Sequence, residues 1–355
     1  MSDLHTLLPT YTPPTPSSAN LLAAFSTALI PTTDLLTQDA LALSRRLGTT
    51  TLASVLDIKL LTHSIASALN ADTTTTTTPA PQFLTTGDTA LDVLLGGGIR
   101  TCCITEFVGE SGAGKSQFLL PLLLTAQLPV SRGGLGRNAV YISTEAPLST
   151  PRLSQLLASD QYPGASLDGV YTITCCDLEA QEHVLRYQLP ILVERHNVGV
   201  VVIDSVAANF RDGEAGGAAA RARRGGELVR MAEGLRGVAV RCGVAVVVAN
   251  QVADWFGGGG SEGGELGLDM QARWFNGWEG EEEEGGGGGA AKVPSLGMVW
   301  ACLLAVRVVV KRVVEVEGSW RRSVRVVFAP WVGGGSEIGF EIWEGGVRAV
   351  VEPTS

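Results

Sequence analysis

Residues 109–116 read Gly-Glu-Ser-Gly-Ala-Gly-Lys-Ser, which fills every fixed position of the pattern G-x-x-x-x-G-K-[ST]. An apolar, β-like run, Cys102–Val108, leads into it, and a leucine-rich helical run, Gln117–Leu128, follows it. A loop in that setting cradles a polyphosphate. Its glycines let backbone N–H groups turn inward, Lys115 reaches the β- and γ-phosphates, and the Ser116 hydroxyl binds Mg²⁺. The next helix turns the positive end of its dipole toward the anion. Strand, loop and helix in this order imply that the chain binds a nucleoside triphosphate.

The rest of the chain fits a domain of that kind. Its 355 residues, 45% hydrophobic and 17% charged, suffice for one large α/β core and a small companion. A net charge of −10 excludes a wholly basic nucleic-acid binder, though not a local basic face. The six cysteines, 102, 103, 175, 176, 242 and 302, form no C-x-x-C pair. They read as small buried hydrophobes in a reduced compartment rather than metal ligands or disulfides. The N-terminus, Met-Ser-Asp-Leu-His, lacks the pattern of a secretory signal. The longest apolar run, about Leu296–Val310, is broken by Arg307 and is too short to span a bilayer. It reads as one or two buried strands, and no membrane is expected among the partners.

Residues 1–19, rich in Pro, Ser and Thr, read as an irregular tail, and 20–70 as a small helical domain. Residues 71–82, with a run of six threonines, read as a linker. From 83 to 350, strand-like runs at 101–108, 138–143, 170–175, 198–204 and 243–250 alternate with helical runs at 115–128, 151–160, 178–195 and 226–242. Continuous Val/Ile runs predict a mainly parallel central sheet covered on both faces. Residues 298–350 predict added, partly antiparallel strands. Two loops interrupt the pattern. One is 211–226, carrying Arg221, Arg223 and Arg224; the other is a Gly- and Glu-rich insertion, 253–295.

Three strand ends carry candidate chemistry. Val200–Ser205 is an apolar strand ending in Asp204, suited to anchor Mg²⁺ beside the phosphate loop. Tyr141-Ile-Ser-Thr-Glu145 ends in a carboxylate that can orient and deprotonate an attacking water. Val246–Gln251 ends in two amides, and Gln251 is placed to sense a γ-phosphate and pass its state into the following loop.

In this order the pieces resemble the RecA/RadA-type recombinase ATPases. The resemblance begins at Thr86–Ile99, runs through the phosphate loop and Tyr141–Leu153, and resumes at Val200–Ser205, Gly243–Val252 and Pro294–Trp300. It covers roughly 84–345 and implies a RecA-like core preceded by a small helical domain. The stretch Ser143–Leu153 is similar to the eukaryotic recombinase paralogues, most of all a fungal mediator akin to the X-ray-repair cross-complementing type. That resemblance implies DNA repair by homologous recombination in the nucleus. It further implies ATP and Mg²⁺ as cofactors, and a second paralogue, the main recombinase and single-stranded DNA as partners. The implied nucleotide-binding set is Gly109, Glu110, Ser111, Gly112, Ala113, Gly114, Lys115, Ser116 and Gln117, with Arg152 stacked on the adenine. Ser116 and Asp204 are assigned to Mg²⁺, and Glu145, Lys115 and Gln251 to catalysis. Residues 211–226 and 252–295 take the places of two DNA-facing loops, with Arg221, Arg223 and Arg224 as DNA contacts.

The chain also departs from the strand-exchange members. Ser143 stands where they carry Asp, and Ala146 where they carry Gly. Phe328-Ala-Pro-Trp331 lies at their cap over a neighbour's ATP without its acidic residue, and 71–82 has no Phe-x-x-Ala anchor. Glu281–Glu284 would repel phosphates. These departures point to a paralogue that relies on partners, with weak or indirect DNA contact of its own and a weak DNA-dependent ATPase activity. Alternative readings are a homo-oligomeric DNA-dependent motor, or a scaffold that binds nucleotide without hydrolysing it.

Overall fold

A computed structural model describes residues 4, 8, 11–13, 15–28, 30–48, 52–73, 79–213, 218–255, 291–314, 320–333 and 335–350. The chain divides into two compact units, Met1–Thr78 and Pro79–Ser355. Most of the 253–295 insertion and part of the threonine-rich segment lie outside the described residues.

The described residues of the first unit include the helices α1 (Pro16–Thr27), α2 (Thr32–Thr37), α3 (Ala40–Arg46) and α4 (Leu52–Thr73). Phe25, Leu35, Leu43, Ile58 and Leu61 meet in its small core. Helix α1 begins inside the stretch read as irregular. Thr15 caps it by accepting a hydrogen bond from the Ser18 N–H at 3.1 Å, and Pro16 supplies a preset first-turn φ. Helix α4 likewise runs to Thr73, into the segment read as linker.

The second unit opens with a short antiparallel pair, β1 (Phe83–Leu84) with β2 (Ile99–Arg100), around α5 (Thr89–Leu94). The core strands are β3 (Cys103–Gly109), β4 (Asn138–Ser143), β5 (Val170–Thr174), β6 (Val198–Asp204) and β7 (Ala245–Trp255). The later ones are β8 (Ala291–Pro294), β9 (Val306–Val314), β10 (Trp320–Phe328), β11 (Glu337–Trp343) and β12 (Gly346–Ala349). The sheet order is β12-β11-β10-β9-β3-β7-β6-β4-β5, with β8 paired to β7. Strands β9 through β5 in that order are parallel, and β10 to β12 are antiparallel, as the sequence predicts for the last third.

Both faces of the sheet are covered, which is why its central strands are apolar throughout. Val200 and Val202 face one core with α6 (Lys115–Thr125), whereas Val201 and Ile203 face the other with α10 (Ala218–Cys242). From Phe118 to Thr125 every residue of α6 is buried, so it packs on all sides rather than along one stripe. Between α7 (Thr150–Leu157) and α10, helices α8 (Leu178–His183) and α9 (Leu189–Arg195) are joined by one π turn, Val184–Gln188.

Three expectations need correction. Much of the 211–226 loop is helix, because α10 starts at Ala218 and alanine and arginine favour helix enough to carry it through Gly225-Gly226. Leu296–Val310 is not strand throughout. Its first part forms α11 (Gly297–Ala301), which buries Trp300, before β9 begins. The insertion is not loop at its ends, since β7 continues to Trp255 and pairs antiparallel with β8, from Val252↔Pro294 to Trp255↔Ala291.

Candidate functional site

The phosphate loop leaves the sheet at the carboxyl end of β3, between β7 and β9, where Gly109 pairs with Gln251 on one side and Val310 on the other. A Cβ at Gly109 would collide with the Val310 carbonyl. Gly112 and Gly114 hold φ of +76° and +117°, a conformation costly for side-chain-bearing residues. The sequence pattern is therefore a backbone requirement. Lys115 is buried, and its ammonium donates to the Gly109 and Glu110 carbonyls at 2.7 and 2.8 Å.

Ser116, first on α6 after that lysine, donates its hydroxyl to Asp204 Oδ2 at 2.6 Å. The Tyr141 hydroxyl donates to the same oxygen at 3.0 Å. Burial, and then the Asp204 charge, push the Tyr141 phenol well above its usual range, so it stays a donor. A hydroxyl and a carboxylate converging in this way are hard oxygen donors, which suits Mg²⁺.

Strand β4 delivers the third candidate. The Thr144 N–H donates to the Asp204 carbonyl at 3.1 Å, and its hydroxyl donates to the Ser205 carbonyl at 2.7 Å. The end of β4 is thus fastened to the end of β6, and Glu145 follows directly. Gln251 Nε2 stands 3.0 and 2.9 Å from the two Glu145 carboxylate oxygens. The Gln251 carbonyl accepts from the Ser295 N–H and hydroxyl at 2.9 and 2.8 Å, which ties it to the far end of the insertion. One cluster therefore contains Lys115, Ser116, Asp204, Glu145 and Gln251, drawn from the ends of β3, β4 and β6 and from within β7.

The remaining expected residues sit near it. Arg152 on α7 donates to Gln117 at 2.9 Å, one residue past Ser116, and to the Trp343 carbonyl at 2.6 Å, so it also fastens the β11–β12 turn. Arg223 is exposed and pairs with Glu227 at 2.9 Å, one turn along α10. Arg224 donates to the Ser295 carbonyl at 3.4 Å. The Arg221 side chain lies outside the described ones. At Phe328–Trp331, the Trp331 indole donates to the Leu95 carbonyl at 3.2 Å and lies 4.4 Å from the Arg100 guanidinium, so that segment is anchored within its own unit.

The Rad51 family model matches residues 82–264, just over half of the chain. DNA repair protein rhp57 of Schizosaccharomyces pombe is 38% identical over 336 residues, covering 87% of this chain and 90% of that protein. This chain belongs to the Rad51 family. DNA repair protein XRCC3 of Bos taurus is 33% identical over 266 residues, 70% of each chain. DNA repair protein RAD57 of Saccharomyces cerevisiae is 44% identical over 181 residues, 49% of this chain and 39% of that protein. The resemblance to recombinase paralogues of a fungal kind is thereby borne out, as is the RecA-like fold. Rad51-family proteins are nucleotide-binding ATPases.

Sequence reasoning missed several members of the site. Tyr141 and Thr144 lie inside the strand-end run that gave Glu145, yet nothing in their types marked them. Glu106 is buried three residues before the loop, and a charge inside an apolar run was the available signal.

Proposed function

We propose that this Rad51-family protein binds Mg·ATP at residues 109–116 and acts in homologous recombination, assisting the recombinase filament on single-stranded DNA during repair of double-strand breaks. The observation that carries the nucleotide reading is the 2.6 Å contact from Ser116 to Asp204, which joins the phosphate loop to the strand end expected to support the metal. In this reading Ser116 and Asp204 hold Mg²⁺, which supplies charge neutralisation at the phosphates. Lys115 neutralises the β- and γ-phosphates, and Arg152, beside Gln117, borders the adenine. Glu145 takes a proton from the attacking water, and Gln251 holds that carboxylate while reporting the γ-phosphate to the insertion.

Turnover is slow on its own. Ser143 and Ala146 replace the strand-exchange residues, and Trp331 ties the cap segment to its own unit. An arginine from a neighbour changes such rates by about 10³–10⁵, so a second paralogue and the main recombinase are the partners proposed. The place of action is the nucleus. A titration of purified protein with ATP, with and without Mg²⁺, tests the reading. Lys115→Ala is expected to weaken binding by about tenfold or more, because it removes a charge-assisted contact to phosphate. Unchanged affinity in Lys115→Ala would overturn the site.

A further inference from the structure

We infer that Arg312 and Arg322, on the added C-terminal strands, form a cationic seat beneath the phosphate loop that raises its affinity for the triphosphate of a nucleotide; this rests on the nucleotide reading above. Arg312 on β9 pairs with Arg322 on β10, which in turn pairs with Phe340 on β11. Residues paired across strands share a face, so these three side chains form one row. Both ends of the row meet the loop. A methyl group added at Gly112 would stand 3.3 Å from Arg312 Nη1, and one added at Gly114 would stand 3.3 Å from the Phe340 ring. Arg322 lies between those two contacts. Its Nε is out of water and has no hydrogen-bond partner among the described residues.

Like charges placed directly opposite in a sheet repel. Here the pair is set where the chain passes beneath a loop built to surround an anion. The loop's inward N–H groups contact the phosphates, and the half-buried guanidinia add positive potential from the strand side of the loop. The seat favours the more highly charged ligand, so it contributes more to ATP than to ADP.

The experiment is a calorimetric titration of the full chain with Mg·ATP and Mg·ADP at low and high salt. It compares the natural protein with Arg322→Met, Arg322→Lys and Arg312→Met. Arg322→Met is expected to lose about tenfold in ATP affinity at low salt. It should lose less toward ADP, flatten the salt dependence, and be restored by Arg322→Lys. Equal ATP and ADP affinities in the natural protein and Arg322→Met, at an unchanged salt slope, would overturn the seat while leaving the nucleotide reading intact. A loss in Arg322→Met that is identical for both nucleotides, and not restored by Arg322→Lys, would also overturn it, because that is the signature of packing alone. Failure of the natural protein to bind either nucleotide would remove the reading on which the seat rests.

Discussion

The Glu106 carboxylate and the Arg307 guanidinium meet at 2.5 Å between β3 and β9, with both side chains out of water. Asn250 on β7 and Trp300 on α11 each donate to the other Glu106 oxygen at 2.8 Å. One carboxylate thus holds the strand that ends in the phosphate loop, the strand that carries Gln251, and the helix beyond the insertion. Breaking a buried pair from one side leaves an uncompensated charge, which costs about 3–5 kcal/mol. Glu106→Ala is therefore expected to lose about that much stability in chemical denaturation. Replacing both partners with methionine should recover much of the loss, because no buried charge remains. A loss below about 1 kcal/mol in Glu106→Ala would show that the network is not a stabilising hub.

The proposed roles of Glu145 and Gln251, which meet through both carboxylate oxygens, allow binding to be tested apart from hydrolysis. The Gln251 amide side chain is turned onto the Glu145 carboxylate rather than onto the loop, so in the proposed reading the pair serves hydrolysis while the loop holds the nucleotide. Glu145→Gln is expected to retain ATP affinity and to lower hydrolysis by about 10²–10⁴, the usual contribution of a positioned base. Gln251→Ala should lower it less, since the carboxylate stays but is no longer held. A phosphate-release assay beside a binding titration reads both. Undiminished hydrolysis in Glu145→Gln would remove it from the chemistry.

The parts of this architecture visible in the sequence are those set by local chemistry. Strands β4 and β6 run from Asn138 to Ser143 and from Val198 to Asp204, matching the apolar runs, because buried strands need apolar residues on both faces. The phosphate loop was legible because its glycines answer to backbone geometry. The helical start of α10 was hidden by small residues that read equally as loop. The Glu106–Arg307 pair was hidden for another reason. The two residues are 201 positions apart, and no local pattern reports a partner at that distance.

High pH should weaken the second unit. Burial pushes the Cys103 thiol up from 9.0 to about 11, with Arg100 opposing, and pushes the Tyr162 phenol up from 10.0 to about 12. Both groups hold their proton more tightly when folded than when unfolded. Their contribution is therefore present in full below about pH 9 and is lost as pH rises through 11 to 12. Tyr162 also donates to the Gly345 carbonyl at 2.6 Å, a bond that ends when the phenol ionises. Thermal unfolding between pH 8 and pH 12 is expected to show a falling midpoint above about pH 9. Cys103→Ala and Tyr162→Phe together should flatten that fall. A midpoint in the natural protein that stays level across the range would contradict the account.

Arg223 and Arg224 allow the DNA contact proposed at the start of α10 to be separated from a tether. The Arg223 guanidinium is exposed and its one-turn pair with Glu227 is screened by solvent, so it is available to a phosphate. Arg224 is partly buried and reaches the Ser295 carbonyl, so it also fastens the end of the insertion. Each phosphate contact on a single strand contributes about 0.7 to the slope of log affinity against log salt. Arg223→Ala is expected to weaken single-stranded DNA binding evenly across sequences and to reduce that slope by about 0.7, with thermal stability unchanged. Arg224→Ala should reduce affinity with a smaller change in slope and lower the thermal midpoint, because part of its effect passes through Ser295. Fluorescence anisotropy at several salt concentrations measures both. A slope unaltered in Arg223→Ala would place the DNA elsewhere on the protein or on its partner.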